Sequence, residues 1–323
     1  MTSSKVWITD YIKNPDIEQE ILGEQLATEP HADIEAVLVW HMKIDQAFLS
    51  KFPRLKAIIR YGVGYDNIDL AAADARKVLV CNTPDYGTEE VADTAIAMIS
   101  ALTRGIFRYH ELSKTLPPDW QENTLNDIRR SREMCLGVIG AGRIGSSVIL
   151  RAKAMLFQSY FYDPYKESGY EKVLAATRID NLYELLNCVD IVSIHCPLTS
   201  ETRGMVDNQF IRHMRRGSYL VNTARGKIVQ DIEILFSALQ HDVLSGVGLD
   251  VLPEEPPPAD SELVKAWRAN EPWLQGRLII NPHTAYYSQH AYKEMREKAA
   301  KNALRVIQGE MPLNRIFYSE ELD

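Results

Sequence analysis

Three polar residues of different chemistry each follow a short apolar run with the composition of a β-strand. Arg225 lies in V-N-T-A-R-G, Glu255 in G-L-D-V-L-P-E-E-P and His283 in N-P-H-T-A. A guanidinium can hold a carboxylate with two parallel hydrogen bonds and can also polarise a carbonyl group. An imidazole suits proton transfer at neutral pH, and a carboxylate beside it would fix its tautomer and favour its charged form. Such groups suit a reaction in which a proton moves at a polarised carbonyl.

Each of the three residues also has a purely structural interpretation. An arginine at this position could form a salt bridge, and a single histidine is more often part of the packing. Acids in polar loops are usually solvated, and Glu254 stands beside Glu255 and competes for the same role. The residues alone leave these alternatives open.

A glycine-rich turn predicts a bound dinucleotide. Gly140, Gly142 and Gly145 fit G-x-G-x-x-G between the apolar run Met134–Ile139 and a helical pattern. In this motif the first glycine permits a tight turn, the second lets a pyrophosphate approach the backbone, and the third lets helix and strand pack closely. Asp163 ends the next predicted strand, where a carboxylate accepts hydrogen bonds from the ribose of NAD and repels the 2′-phosphate of NADP. A glycine turn alone could be structural, but these flanking elements favour NAD binding.

A second glycine-containing segment, R-Y-G-V-G-Y-D-N-I-D from Arg60 to Asp69, follows another predicted strand. The backbone amides around Gly62 and Gly64 could cradle an anion. A tight strand-to-helix turn explains the same glycines and is the preferred interpretation on these residues alone.

The elements that must position these residues alternate between strand and helix, which predicts an α/β fold with two open, mostly parallel sheets. In the first part the predicted strands are Val6–Thr9, Ala36–Val39, Leu55–Arg60 and Val78–Cys81, with helices at Ile17–Gly23 and Leu70–Arg76. A helix at Thr88–Leu102 connects the two parts, and Lys114 to Ser131 is predicted to be mostly loop, with a strand near its end. In the second part the predicted strands are Met134–Ile139, Tyr160–Tyr162, Ile191–His195, Ser218–Asn222, Gly246–Val251 and Leu278–Ile280. Its helices begin near Arg143 and at Leu182–Asn187, Asn208–Arg215 and Ile232–Gln240, and a last helix, Ser288–Ile307, must return to pack elsewhere.

Composition narrows the function classes. The 323 residues suggest about two domains, and the excess of 44 Asp+Glu over 36 Lys+Arg disfavours nucleic-acid or anionic-membrane binding. No run approaches the roughly 18 apolar residues of a membrane helix. The N-terminus, M-T-S-S-K-V-W-I-T-D, lacks the apolar core of a signal peptide, so we expect a cytoplasmic protein. The 4 cysteines form no C-x-x-C pair, which predicts free thiols and no metal site.

Taken together, these segments resemble the D-isomer-specific 2-hydroxyacid dehydrogenases over most of the chain. The matching motifs are R-Y-G-V-G-Y-D-N-I-D, N-T-P-D-Y-G-T-E-E-V-A-D-T, G-A-G-R-I-G, V-N-T-A-R-G, G-L-D-V-L-P-E-E-P and N-P-H-T-A. The segments E-E-x-A-D-T, L-R-A-K-A, F-Y-D-P-Y and Y-S-x-x-A-x-x-E-M-R are most similar to the C-terminal-binding-protein branch. The resemblance implies a Rossmann NAD-binding domain, residues 103–284, inserted in a discontinuous flavodoxin-like substrate domain, residues 1–102 and 285–323. It also implies a homodimer in which the helical insert after the connecting helix takes part.

The resemblance also implies roles for individual residues. Arg225, Glu255 and His283 would be the catalytic trio, with Glu255 chosen over Glu254 because the family's glutamate directly precedes the proline. The substrate would contact Arg60, the amides of Val63 and Gly64, and Tyr286. The cofactor would contact Gly140, Gly142, Arg143, Ile144, Gly145, Asp163, Cys196, Pro197, Thr223 and Asp250, with Arg143 and Ile144 at the pyrophosphate and Asp250 at the nicotinamide carboxamide.

Three comparisons with relatives bear on the activity and the substrate. Tyr286 stands where C-terminal-binding proteins carry a tryptophan over the substrate, and its phenol is compatible with a more polar substrate. Glu255 stands where the formate dehydrogenases of the superfamily use glutamine, which disfavours formate oxidation. No regulatory domain follows the last helix in this sequence, which disfavours phosphoglycerate dehydrogenase.

The expected activity is the NAD-dependent interconversion of a small 2-keto acid and its D-2-hydroxy acid. One alternative is an NADH-sensing, dimeric, co-repressor-like binding protein with little turnover. Another is a biosynthetic reductase of a phosphonate or phosphorylated keto acid. Its second anion would need cations, for which Arg60, Arg104 and Arg108 are the candidates.

Overall fold

A computed structural model describes residues 5–114 and 120–318, and the chain divides into two α/β units. The first unit comprises Met1–Gly87 and Tyr287–Asp323, and the second comprises Thr88–Tyr286. Part of the predicted loop from Lys114 to Ser131 lies outside the described residues, at 115–119. Within 5–114 and 120–318, none of the helices combines the length and the apolar composition needed to cross a membrane.

The described elements run as follows along the chain. The strands are β1 Val6–Ile8, β2 Leu26–Ala27, β3 Ala36–Val39, β4 Ala57–Arg60, β5 Leu79–Cys81, β6 Cys135–Ile139, β7 Gln158–Tyr162, β8 Thr177–Arg178, β9 Ile191–Ile194, β10 Ser218–Asn222, β11 Leu244–Leu249, β12 Leu278–Ile280 and β13 Arg315–Ile316. The helices are α1 Asp16–Leu22, α2 Gln46–Leu49, α3 Leu70–Ala75, α4 Thr88–Thr103, α5 Ile106–Leu112, α6 Arg143–Ala154, α7 Tyr170–Leu174, α8 Leu182–Cys188, α9 Asn208–His213, α10 Ile232–Gln240, α11 Glu262–Arg268 and α12 Gln289–Ile307.

The sheet of the first unit has the strand order β13-β5-β4-β3-β1-β2, and only β13 pairs antiparallel among these. Its central strand β3, A-V-L-V, is buried at every position, as expected for a parallel strand covered on both faces. The helix α12 returns to this unit and packs on α1, β3 and β4. Inside that contact the buried side chains of Arg296 and Glu18 form an ion pair.

The second unit contains a parallel sheet in the order β12-β11-β10-β9-β6-β7-β8. The order reverses between β6 and β9, which is the doubly wound arrangement of dinucleotide-binding domains. The carboxyl ends of its strands therefore meet at one edge, beside the reversal point where such sheets bind ligands.

The helix α4 packs on β10, β11 and α6, so it groups with the second unit. Two strand glycines make this contact close. A Cβ atom on Gly246 would lie 2.9 Å from Leu102 Cδ2, and one on Gly248 would lie 3.1 Å from Met98 Sδ. The division at Gly87 thus precedes the helix, whereas the sequence analysis placed the domain boundary after it, at 102.

The sequence predicts most strands of both sheets and the longer helices, and it misses several short elements. Strands β3, β10 and β12 and helix α10 have the predicted bounds. The strand predicted near the end of the 114–131 loop is wrong, because that end is a 3-10 turn at Ser131–Glu133 in which the Glu133 amide donates to the Arg130 carbonyl. The missed elements are short and carry too few residues to show a period: β2, α2, α5, α7, β8, α11 and β13. All 4 cysteines are free thiols, with Cys81 buried and the other three half-buried.

Candidate active site

The structure brings the three candidate catalytic residues to one edge of the second unit's sheet. Arg225, Glu255 and His283 lie in the loops that follow the adjacent strands β10, β11 and β12. The Nδ1 atom of His283 lies 2.8 Å from a carboxylate oxygen of Glu255. The neighbouring Glu254 is exposed and makes no such contact, so the structure pairs the imidazole with the glutamate that precedes the proline.

Glu255 is held in its ionised form. Its Oε1 accepts the Leu252 amide at 2.9 Å while its Oε2 faces His283. Burial raises the pKa of Glu255, but the hydrogen bond and charge of His283, the Leu252 amide and the charge of Arg225 outweigh it, so this pKa lies below its usual value. Because an ionised carboxylate only accepts, Nδ1 of His283 is the donor in this bond. The other ring nitrogen, Nε2, has no hydrogen-bond partner in the described part of the chain, and it is therefore the atom able to exchange a proton with a substrate.

The backbone of His283 adopts an unusual conformation. Its φ angle is 55°, in the left-handed region that few residues other than glycine adopt. Backbone of this kind costs of order 1–3 kcal/mol and persists only where the surroundings enforce it. Here the amide of His283 donates to the Asp250 carbonyl at 2.8 Å, and the Asp250 carboxylate accepts the amides of Thr284 and Ala285.

Asp250 therefore fixes the histidine loop, a role that sequence reasoning missed. Its side chain is buried, and burial raises the pKa of Asp250 although the amides of Ala285 and Thr284 oppose this. The position at the carboxyl end of β11 is the available sequence signal, because a carboxylate there lies beside the loop that follows β12. Its implied contact with the nicotinamide carboxamide stays a prediction.

The turn that carries Arg225 is built by its neighbours. The buried amide side chain of Asn222 accepts from the Ala224 amide at 3.0 Å and donates to the Arg225 carbonyl at 2.9 Å. A Cβ atom on Gly226 would lie 1.9 Å from the Leu252 carbonyl oxygen, so only glycine allows this turn to pack against the segment that leads to Glu255. The dipeptide R-G thus places a cation whose charge helps to lower the pKa of Glu255, and Asn222 is a second residue that the sequence reasoning missed.

The glycine motif folds as strand, turn and helix between β6 and α6. Gly140 has a φ of 89°, and a Cβ on it would lie 2.6 Å from the Cys196 amide nitrogen. A Cβ on Gly145 would lie 1.9 Å from the Gly140 carbonyl oxygen, so the third glycine is required for helix and strand to approach. At Gly142, by contrast, no described residue outside the glycine turn and the start of α6 lies within 4 Å of that position. The space above Gly142 faces the start of α6, where the first amides of a helix have no partners within the helix.

This arrangement fits the pyrophosphate of a dinucleotide. Arg143 and Ile144 are the first two residues of α6, and their amides lie at the positive end of the helix dipole. The Asp163 carboxylate follows β7 and accepts the amides of Ala141 at 2.8 Å and Tyr165 at 3.0 Å. It thus ties the glycine turn to the end of β7, and its contact with the ribose stays a prediction.

The remaining predicted cofactor residues follow β9 and β10, on the other side of the reversal point. Cys196 and Pro197 follow β9 after one intervening residue, and Thr223 comes directly after β10. Burial raises the pKa of the Cys196 thiol to about 12, so it is protonated and is not a nucleophile at neutral pH.

The site residues predicted for the first unit lie in the loop after β4. Arg60 ends that strand and is half-buried, and the half-buried Val63 and Gly64 follow Gly62. Between them, the buried Tyr61 hydroxyl donates to Glu18 at 2.8 Å.

Tyr286 belongs to the second unit, and so do Arg104 and Arg108, the two candidate cations besides Arg60. Tyr286 is half-buried and follows His283 by three residues. Arg108 pairs with Asp127 at 2.6 Å, and Arg104 donates to the Arg129 carbonyl at 3.4 Å. Arg104 and Arg108 are thus bonded to the segment that precedes β6.

Comparison with known proteins decides the family. Residues 96–285 match the NAD-binding domain of the D-isomer specific 2-hydroxyacid dehydrogenases. The chain belongs to this family. The predicted resemblance, the two-unit α/β fold with its Rossmann sheet, and NAD as the cofactor are confirmed.

Three relatives illustrate the range of the family. The chain is 35% identical to a glyoxylate reductase of Korarchaeum cryptofilum over 279 residues, which cover 84% of this chain and 79% of the relative. It is 31% identical to C-terminal-binding protein 1 of Caenorhabditis elegans over 301 residues, which cover 92% of this chain and 39% of that protein. The D-lactate dehydrogenase of Aquifex aeolicus, crystallised with NAD and lactic acid, superposes with a TM-score of 0.84 at 31% identity, covering 95% of this chain and 96% of that one.

His195, which the sequence analysis did not consider, lies at the carboxyl edge of the NAD-binding sheet. His195 follows β9, with Nε2 2.8 Å from the Ser193 hydroxyl and Nδ1 3.5 Å from the Thr223 hydroxyl. Burial lowers the pKa of His195 to about 3, so the ring is neutral at physiological pH. A neutral ring between two hydroxyls links the ends of β9 and β10 without placing a charge there.

This burial predicts a measurable pH dependence of stability. In the unfolded chain a histidine protonates near its ordinary value of 6.5, whereas folded His195 stays neutral down to about 3. Between these values the unfolded state binds one more proton, so the free energy of unfolding falls by about 1.4 kcal/mol per pH unit as the pH is lowered. We expect His195→Asn to remove this component.

Urea unfolding at pH 6.5 and pH 5.0 measures this effect. The stability of the wild type relative to H195N should fall by about 2 kcal/mol between the two pH values. The variant H241N, at an exposed histidine, should follow the wild type. A constant difference between wild type and H195N would show that the pKa of His195 is not lowered in the folded state.

Proposed function

We propose that this protein reduces a small 2-keto acid with NADH to the corresponding D-2-hydroxy acid, and catalyses the reverse oxidation. The observation that carries the proposal is the 2.8 Å pair of His283 and Glu255 with the cationic Arg225 beside it. These groups stand at the carboxyl edge of the NAD-binding sheet, where a family member needs its acid and its carbonyl-polarising group.

The proposed chemistry assigns one task to each side chain. NADH, when bound, supplies the hydride that the keto carbon receives. The Nε2 atom of His283 gives its proton to the keto oxygen, which becomes the hydroxyl, and the ring then takes up a proton from solvent. Glu255, ionised and bonded to Nδ1, keeps the imidazole in orientation and compensates its positive charge. Arg225 binds the substrate carboxylate and polarises the keto oxygen.

The identity of the substrate is proposed from the same residues. A carboxylate next to the carbonyl is the feature that Arg225 selects, and the half-buried Tyr286 offers a phenol instead of an indole. In the first unit, Arg60 and the amides of Val63 and Gly64 are proposed to bind the carboxylate of the substrate. The similarity to a glyoxylate reductase supports small keto acids such as glyoxylate and hydroxypyruvate as the first candidates.

The preference for NADH over NADPH is proposed from Asp163. Its carboxylate lies at the end of β7, where it can accept the ribose hydroxyls but would repel a 2′-phosphate. The homodimer and the cytoplasmic location stay predictions. The exposed Ile106 and Phe107 of α5 are apolar side chains with which a dimer interface could be built.

The experiment that tests the proposal follows NADH oxidation at neutral pH with a panel of keto acids: glyoxylate, hydroxypyruvate, pyruvate, phenylpyruvate, a 4-methylthio keto acid, oxaloacetate and phosphonopyruvate. We expect turnover of at least one small keto acid, with NADH preferred over NADPH in parallel assays. Tight NADH binding without turnover of any compound would contradict the proposal and favour an NADH-sensing protein. Turnover of phosphonopyruvate alone would instead identify a phosphonate reductase.

A further inference from the structure

The backbone of the loop after β4 is held by Asn82 and Thr83, which follow β5 in the segment N-T-P. Asn82 and Thr83 are buried and together make four hydrogen bonds to the loop backbone. We infer that Asn82 and Thr83 are positioning residues that aim the backbone amides of Val63 and Gly64 at the substrate carboxylate. The inference deepens the proposed function and rests on it.

The bond from Asn82 orients the second amide. Its Nδ2 donates to the Val63 carbonyl oxygen at 2.6 Å. The Val63 carbonyl and the Gly64 N–H belong to one planar trans peptide unit, so they point in opposite directions. Holding the carbonyl on Asn82 therefore points the Gly64 N–H away from the buried Asn82 side chain.

Thr83 orients the other amide, the Val63 N–H, in a similar way. Its backbone amide donates to the Gly62 carbonyl at 3.1 Å, which fixes the peptide unit that carries the Val63 N–H. Its hydroxyl accepts the Gly62 amide at 2.6 Å and donates to the Arg60 carbonyl at 3.3 Å. The φ of 122° at Gly62 completes the turn, because a residue with a side chain rarely adopts this angle.

The two amides fixed in this way have no acceptor among residues 5–114 and 120–318. Both residues are half-buried, and a buried N–H without a partner is costly unless a ligand or water accepts from it. Two successive N–H groups are a known way to bind an anion without a cationic side chain. The loop, the two amides and the side chains of Asn82 and Thr83 all lie in the first unit, so residues of the second unit are not needed to orient the amides.

The alternative is that Asn82 only stabilises the fold. Asn302 provides a matched control for this alternative. Asn302 is equally buried, and its side chain also holds backbone, with Nδ2 donating to the Leu313 carbonyl at 2.9 Å and Oδ1 accepting the Leu313 amide at 2.7 Å. The two asparagines thus make the same kind of bond in the same unit, but only Asn82 bonds to the loop with the two amides.

The experiment compares N82A with N302A in three measurements on the full-length protein: Tm, the Kd of NADH by fluorescence, and KM and kcat for glyoxylate. We expect both variants to lower Tm by similar amounts and to leave the NADH Kd unchanged. Only N82A should raise the KM for glyoxylate, by about tenfold or more, because hydrogen bonds to a charged group are lost. Equal KM values in N82A and N302A would overturn the inference.

A second pair of variants tests Thr83 with a smaller change. T83V removes the hydroxyl at nearly constant volume and should also raise the KM, whereas T83S keeps the hydroxyl and should restore the wild-type KM. If T83S and T83V were equally impaired, the hydroxyl would not position the loop.

A measurement without turnover separates this inference from the proposed function. In protein labelled with ¹⁵N-valine and ¹⁵N-glycine, oxalate added with NADH should shift the amide resonances of Val63 and Gly64 in the wild type and not in N82A. This result would uphold the inference even if no keto acid of the panel were reduced. Identical shifts in wild type and N82A would contradict it even in an active enzyme.

Discussion

Replacing His283 with alanine is expected to lower kcat for the best keto acid about 10²–10⁴-fold, with little change in the Kd of NADH. The variant loses the imidazole that the structure pairs with the ionised Glu255 carboxylate. The proton must then come from water, which is neither positioned nor acidic. The binding of NADH should persist, because the glycine turn and Asp163 lie on other strands of the sheet. Stopped-flow turnover and fluorescence titration measure the two quantities separately.

Two further variants accompany this prediction: H241A is a control, and E255Q tests the charge of the paired carboxylate. H241A removes an exposed histidine of the same unit and should retain wild-type turnover. E255Q keeps a hydrogen-bond acceptor for Nδ1 but removes the charge, so its kcat should lie between those of the wild type and H283A. Equal kcat values in H283A and the wild type would remove His283 from the reaction.

Replacing Arg225 should have an effect of similar size that also reaches substrate binding. We expect R225A to lower kcat/KM about 10³-fold or more, since it loses both the carboxylate contact and a donor to the reacting oxygen. R225K keeps the charge without the planar pair of donors, so kcat/KM should still fall at least about 10²-fold. Steady-state kinetics over a wide range of keto-acid concentrations divide the loss between KM and kcat.

The division between KM and kcat identifies the role of Arg225. A rise in KM alone would show that the guanidinium only binds the carboxylate, and a fall in kcat shows that it also acts on the carbonyl in the transition state. The variant R212K, at an exposed arginine in the last turn of α9, serves as the matched control and should behave as wild type. A fall in kcat/KM of less than tenfold in R225A would contradict both roles.

Much of the site was predictable because its signals are local in sequence. A glycine turn needs only a strand before it and a helix after it, and both are visible in the apolar runs on either side of Gly140. The motif residues Arg225, Glu255 and His283 stand directly after predicted strands. In a parallel sheet all strands end at the same edge, so their assembly follows from the alternation of strands and helices.

The supporting residues were not predictable in the same way. Asn222, Asp250 and His195 each hold a loop through hydrogen bonds to backbone or to residues many positions away. An asparagine in a strand or an aspartate in a loop has no local pattern that separates this role from a solvated side chain. Their function depends on strand order, which the spacing of apolar residues does not contain.

The sequence by itself determined the α/β class, the family and the NAD cofactor, and it supplied the candidate residues for proton transfer at a carbonyl. These follow from short segments in which residue type and spacing carry the chemistry. The motif already favoured Glu255 over Glu254, and the tertiary structure brought its carboxylate to 2.8 Å from the imidazole. Only the tertiary structure decided that α4 packs with the second unit. Only the tertiary structure showed that Asn82 and Thr83 bond to the loop that carries the Val63 and Gly64 amides. The physical reason is that these outcomes depend on distances between chain segments far apart in sequence, which packing and hydrogen bonding set when the sheet forms.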